Sequence, residues 1–76
     1  MRISTVNIVE LHENEIIGLS SFANTKDGNI EANILFYDLI ADDNPNLLGN
    51  EIENYVKKGR YELGGYVIKS VISTNA

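Results

Sequence analysis

The chain contains no cysteine and no tryptophan, and it has one proline among its 76 residues. Without cysteine, neither a disulfide nor a thiolate metal site can form. The absence also fits a reducing compartment, so we expect a cytoplasmic protein. A chain this short has room for one hydrophobic core, which predicts a single domain over residues 1–76.

Long apolar segments are also missing. The longest uninterrupted apolar run covers residues 34–37, far short of the roughly 20 residues that cross a bilayer. Residues 1–7 include one base but no apolar core and no small-residue cleavage site, so we predict no signal peptide. We therefore expect a soluble protein with no membrane partner.

Basic residues are few, and their placement is uneven. The net charge is −5. Between Glu10 and Glu53, ten acids oppose Lys26 alone, whereas four bases from Lys57 onward oppose only Glu62. Because duplex affinity depends on several lysines and arginines that neutralise phosphates, this acidic chain predicts no direct nucleic-acid binding.

Extended segments are predicted at both ends of the chain. Residues 2–11 and 16–22 are rich in apolar and β-branched types, and the polar residues 12–15 between them predict a hairpin turn. In the first strand, one face carries Ile3, Val9 and Leu11, and the other carries Val6 and Ile8. Residues 66–72 follow a Gly-Gly turn and are apolar on both faces, which favours a central or covered strand.

Residues 30–40 allow two interpretations. As a strand they alternate apolar and polar residues, with Asp38 as the one fault, and Asp27-Gly28 would form a hairpin turn. As a helix they place an uninterrupted apolar stripe on one face and acids on the other, with Asp27 or Asn29 as N-cap and Pro45 near the end. We favour the helix.

A second helix is predicted after Pro45. Its apolar face consists of Leu48, Ile52, Tyr55 and Val56. Asn50 and Glu53 have the spacing of a capping box, and two lysines precede Gly59 at the C-terminal end.

These segments predict an α+β fold of order β-β-α-α-β, in which a small antiparallel sheet of about three strands carries two helices on one face. The alternative, with residues 30–40 extended, is β-β-β-α-β. The sheet would keep two free edges and surplus apolar surface, so we expect a homodimer formed through an edge or through the uncovered face.

Two segments resemble metal sites but lack essential ligands. His12 lies beside Glu13 and Glu15 without a second nitrogen ligand, so we predict a solvated turn there. Asp42, Asn44, Asn46 and Glu53 follow the spacing of a calcium loop, but Leu47 occupies the position that requires glycine. We predict an acidic linker, no metal ligands and no cofactor.

No catalytic residues are predicted either. His12 is the only histidine, the serines lack a general base, and no nucleophile or phosphate-binding motif occurs. We therefore predict that the protein is not an enzyme.

Two groups of residues are candidates for a protein interface. Arg60, Tyr61 and Tyr66 flank the Gly-Gly turn and have a composition that interfaces favour. The acids of the second group could meet a basic partner: Asp38, Asp42, Asp43, Glu51 and Glu53.

From these residues we predict a non-enzymatic protein–protein interaction or regulatory module. Isoleucine and asparagine each occur ten times, a bias typical of AT-rich genes that favours a low-GC bacterium or one of its mobile elements. The first alternative is an acidic inhibitor of a nucleic-acid-handling host protein, of the phage accessory or anti-defence type. The second is a small-molecule binder or minor enzyme with its site between sheet and helices.

Overall fold

A computed structural model describes residues 3–75, which form one antiparallel sheet of four strands and two helices. In chain order the elements are β1 (Ile3–His12), β2 (Glu15–Ala23), α1 (Lys26–Asp43), α2 (Gly49–Lys58), β3 (Arg60–Leu63) and β4 (Tyr66–Asn75). The strands lie in the order β2-β1-β4-β3. The α+β class is confirmed. Arg2, in the predicted first strand, lies outside the described residues.

Two tight turns lie side by side at one end of the sheet. Glu13 and Asn14 join β1 to β2 with φ angles of 54° and 68°, and Gly64 and Gly65 join β3 to β4 with φ angles of 58° and 84°. Positive φ at both central residues is the geometry that matches the twist of a two-residue hairpin. The amide of Glu13 donates to the carbonyl of Gly65 at 3.0 Å. Both predicted turns are confirmed.

The sheet has one strand more than the sequence analysis counted. β3 follows α2 directly because Gly59, with φ of 75°, ends the helix in the left-handed conformation and reverses the chain. Its four residues then pair with β4, with Tyr61 opposite Ile68. β4 also extends beyond the predicted end at residue 72, because Ser73 and Thr74 pair with β1. Its predicted central position is confirmed.

Residues 30–40 are helical, so the alternative strand interpretation is wrong. Ala32, Phe36 and Ile40, which are four residues apart and lie on one face of the helix, are buried. The N-cap is Thr25, not Asp27 or Asn29, because the Thr25 hydroxyl accepts a hydrogen bond from the Gly28 amide at 3.1 Å.

The second helix is confirmed, but its cap differs from the prediction. α2 begins at Gly49, and the carboxylate of Glu51 accepts a hydrogen bond from the Leu48 amide at 3.0 Å. The predicted pair of Asn50 and Glu53 does not make this cap. Lys57 and Lys58 lie in the last turn as predicted, where their charge complements the helix dipole.

The core fills the layer between the sheet and the helices. Its buried members are Val6, Ile8, Ala32, Phe36, Ile40, Ile52, Tyr61 and Ile68. The largest of the fully buried side chains are Ile8, Phe36, Ile40 and Ile68. The layer in which the sequence analysis placed an alternative small-molecule site is therefore packed with side chains.

The start of α1 lies so close to β2 that only glycine fits at position 28. A Cβ atom there would overlap the carbonyl oxygen of Ala23. Helix propensity alone favours alanine over glycine by about 1 kcal/mol. We nevertheless expect Gly28→Ala to lower the free energy of unfolding by about 1–3 kcal/mol, because the helix must move away from the sheet.

Urea denaturation measures this change. The control is Gly49→Ala at the start of α2, where a Cβ would lie 3.1 Å from the Tyr37 hydroxyl, the free end of a side chain. Equal stability changes for the two variants would contradict the close approach at Gly28.

Candidate interaction surfaces

The helices cover one face of the sheet, and the other face is open. Cross-strand pairs share a face, so the open face follows from the register of β1 with β2 and β4. Its larger apolar residues are Ile3, Val9, Leu11, Ile16, Leu19, Val67 and Val71. Ile16 and Leu19 are 66% and 63% exposed. An apolar surface of this kind marks a site of association in soluble proteins.

A polar network crosses the middle of the open face. Asn7 donates from Nδ2 to the Val71 carbonyl at 3.0 Å and to the Ser73 hydroxyl at 3.2 Å. Its Oδ1 accepts from the Ser21 hydroxyl at 2.7 Å. The amide therefore links β2, β1 and β4 through side-chain bonds, and it separates Ile3 from the apolar residues nearer the hairpin turns.

Charge is divided between the two layers. The open-face residues of β1, β2 and β4 include no acid, and Lys69 is their one base. At the β3 edge, Arg60 and Glu62 form an exposed ion pair of 3.4 Å. The helices carry seven acids and three lysines, a net −4 of the chain's −5. The helix layer is thus acidic, whereas the open face is apolar and slightly basic.

The two tyrosines of the predicted interface are engaged inside the protein. Tyr61 is 2% exposed, and its ring packs edge-on against Tyr55 with centroids 5.1 Å apart. Its hydroxyl donates to Asp43 at 2.7 Å. Tyr66 is half-buried and donates to Glu10 at 2.6 Å. Tyr61 therefore joins β3 to the helices, and Tyr66 joins β4 to β1, whereas Arg60 is exposed.

Hydrogen bonding and burial change the acidity of these phenols. Burial, together with the hydrogen bond to Asp43, raises the pKa of Tyr61 to about 12. The pKa of Tyr66 is also raised, by burial and by its bond to Glu10. Sequence reasoning did not identify Glu10 as a partner, because the residues that meet it are far along the chain.

The acids of the predicted interface all belong to the two helices. Asp38, Asp42 and Asp43 belong to the second half of α1, and Glu51 and Glu53 belong to the first half of α2. All five are exposed, and Asp43 also accepts the bond from Tyr61. Their contact with a partner stays a prediction.

The two metal-like segments take different structures. His12 is the exposed last residue of β1, next to the turn in which it was predicted. Asp42 and Asp43 belong to the last turn of α1, so these acids are helical and not part of a loop. Within residues 3–75, no three histidine or acidic side chains are grouped closely enough to hold a metal.

No helix within residues 3–75 has the length and apolarity to span a membrane.

A groove between the two helices was missed by the sequence analysis. It has a volume of about 440 Å³ and is lined by Ile30, Asn33, Ile34, Tyr37, Asp38, Glu53, Val56 and Lys57. Ile30 and Ile34 are 49% and 57% exposed. A signal was present in the sequence, because Ile30, Ile34 and Tyr37 are apolar residues outside the buried stripe of the predicted helix.

The raised pKa of Tyr61 predicts a loss of stability in alkali. The unfolded phenol has a pKa near 10, so the native state holds its proton more tightly. The stabilising effect of Tyr61 is present below about pH 10 and is lost as the pH rises toward about 12. In Tyr61→Phe the lost hydrogen bond should cost about 1 kcal/mol at neutral pH.

The measurement is the difference in unfolding free energy between the wild type and Tyr61→Phe at several pH values. Lysine titration affects both proteins and cancels in the difference. We expect the difference to shrink above pH ~10. A difference that is constant with pH would show that the phenol of Tyr61 titrates normally.

Comparison of this chain with protein-family models, curated proteins and solved structures gave no match.

Proposed function

We propose that this protein is a non-enzymatic interaction module that forms a homodimer through the open face of its sheet. The observation that supports the proposal is the group of exposed apolar side chains, Ile16, Leu19 and Val71 among them, on a face whose β1, β2 and β4 residues include no acid. We place the module in the cytoplasm of a bacterium, because the lack of cysteine fits a reducing compartment.

The size of the open face suits a small dimer. The four strands contain 10, 9, 4 and 10 residues. At a rise of about 3.3 Å per residue and a spacing of about 4.8 Å between strands, the face covers roughly 500 Å². Two faces in contact would bury about 1,000 Å² of projected area, which is where specific interfaces begin. The accessible area is larger, because side chains roughen the surface.

The charge distribution favours a second copy as the occupant. Two open faces can approach each other with few carboxylates between them, because most of the acids lie on the helices at the other side of the sheet and Glu62, on β3, is paired with Arg60. In a face-to-face dimer the acidic layers would be outermost and far apart, which keeps their repulsion low. The apolar residues would form the centre of the contact, and the polar side chains around Asn7 would lie beside them.

Two lysine substitutions test this dimer. Leu19→Lys and Val71→Lys each place a charge on the open face, and we expect each to convert the dimer into a monomer because a lysine cannot be buried there unpaired. Sedimentation velocity between about 1 and 200 µM covers the affinities that a contact of this size gives. Circular dichroism and thermal melting would establish that the variants are folded.

The matched control is Leu48→Lys, because Leu48 is 66% exposed but precedes α2, away from the sheet. This variant should dimerise like the wild type. A wild type that is monomeric over the whole concentration range would overturn the proposal. If Leu19→Lys dissociates and Val71→Lys does not, the contact is made by the β2 edge, because β4 is an inner strand.

A second candidate function is an acidic inhibitor of a host protein that handles nucleic acid. The concentration of exposed carboxylates on the helix layer supports it, since such a layer can occupy a basic groove. Binding of this kind should weaken strongly as salt is raised, and DNA should compete for the same partner. In the double variant Asp42→Asn with Glu53→Gln, binding should weaken, whereas Glu62→Gln on β3 should have little effect. Affinity that is insensitive to salt would rule this candidate out.

A further inference from the structure

We propose that the groove between α1 and α2 is a docking site for a basic amphipathic helix of a partner protein. All the residues that line the groove belong to α1 and α2, and none belongs to the sheet. The groove therefore remains accessible whether or not the open faces pair, and the inference does not depend on the dimer.

The walls of the groove are apolar and already in place. Ile30, Ile34 and Tyr37 extend along one wall on α1, and Val56 faces them from α2. Ile30 and Ile34 are one helical turn apart and are each about half exposed, so they can contact apolar side chains spaced by one turn on a docked helix. The volume of about 440 Å³ lies within the range of natural binding pockets.

Acidic residues border this apolar surface and select the charge of the occupant. Along α1, four exposed acids follow at spacings of four, seven and four residues, which keeps them on one side of the helix. They are Asp27, Glu31, Asp38 and Asp42. Glu53 lies on the opposite border, and Lys57 is the one base among the residues lining the groove. An apolar helix with flanking lysines or arginines satisfies both the walls and the borders.

The same charges argue against a second copy of this chain as the occupant. Its own exposed helical surfaces are acidic, so a contact between two helix layers would bring together like charges. A helix is favoured over an extended peptide because the groove is bounded by helices and offers no strand edge for main-chain pairing.

A model peptide tests the site directly. The probe is a fluorescently labelled peptide of about 18 residues with leucine at i, i+3, i+4 and i+7 and lysine elsewhere, which forms one apolar face. One control peptide has the same composition in scrambled order, and another has glutamate in place of lysine. We expect saturable binding of the first peptide only, measured by fluorescence anisotropy. Amide shifts in its complex with 15N-labelled protein should fall in residues 30–38 and 53–57.

Two variants separate the apolar and electrostatic contributions. Ile34→Gln removes an exposed apolar contact without a charge change and should weaken binding about tenfold. Asp38→Asn should weaken binding about threefold and reduce its dependence on salt. The matched controls are Leu48→Gln, an exposed leucine outside the groove lining, and Glu62→Gln, an exposed acid on β3. Both should bind the peptide like the wild type.

Three results would overturn the proposal. Equal binding of the scrambled peptide would show charge attraction without a groove. Unchanged affinity in Ile34→Gln would show that the peptide binds elsewhere. A change in oligomeric state in Ile34→Gln without peptide would show that the groove is occupied by a second copy. Because Leu19→Lys tests the dimer and Ile34→Gln tests the groove, failure of either proposal can be recognised independently.

Discussion

Pairing of the first strand with the last is the constraint on which the rest of the structure depends. β1 and β4 pair antiparallel along their full length, from Ile3 opposite Asn75 to His12 opposite Tyr66. This contact joins segments at opposite ends of the chain and makes both strands central. Each hairpin then adds an outer strand, and the helices, which lie between the hairpins in sequence, must cross the sheet on one side. The open face is a direct consequence of this arrangement.

Features that depend on residues close together in the sequence were predicted, whereas features that depend on pairing between distant segments were not. Both turns, both helices and the division of β1 into two faces depend on nearby residues, and they were predicted from residue type and spacing. β3 was not counted, because its four residues are stabilised mainly by pairing with β4. The end of β4 was placed too early for a similar reason, since polar Ser73 and Thr74 are extended only because β1 lies beside them.

For the candidate surfaces too, the sequence identified residue types but not the distant residues that they contact. The acids near residues 38–53 were identified from composition, but the division of charge between the two layers required the fold. Tyr61 and Tyr66 have the composition of interface residues, yet their hydroxyls meet Asp43 and Glu10, which lie 18 and 56 residues away in sequence. A tyrosine that binds a partner and one that stabilises the core look alike in a sequence.

Asn7 gives the open face a means of limiting nonspecific association. An apolar face beside the long β2 edge, whose one charged residue is Glu15, is the kind of surface that promotes aggregation. The Asn7 amide is 9% exposed and has its polar atoms bonded by neighbouring strands. A protein that packs on the open face must therefore place polar or solvated atoms over the hydroxyls of Ser21 and Ser73, which bond Asn7. It must also place apolar atoms over Leu19 and Val67. In the proposed dimer only alignments that meet both conditions avoid burying unpaired groups, so this polar network selects among otherwise equivalent apolar contacts.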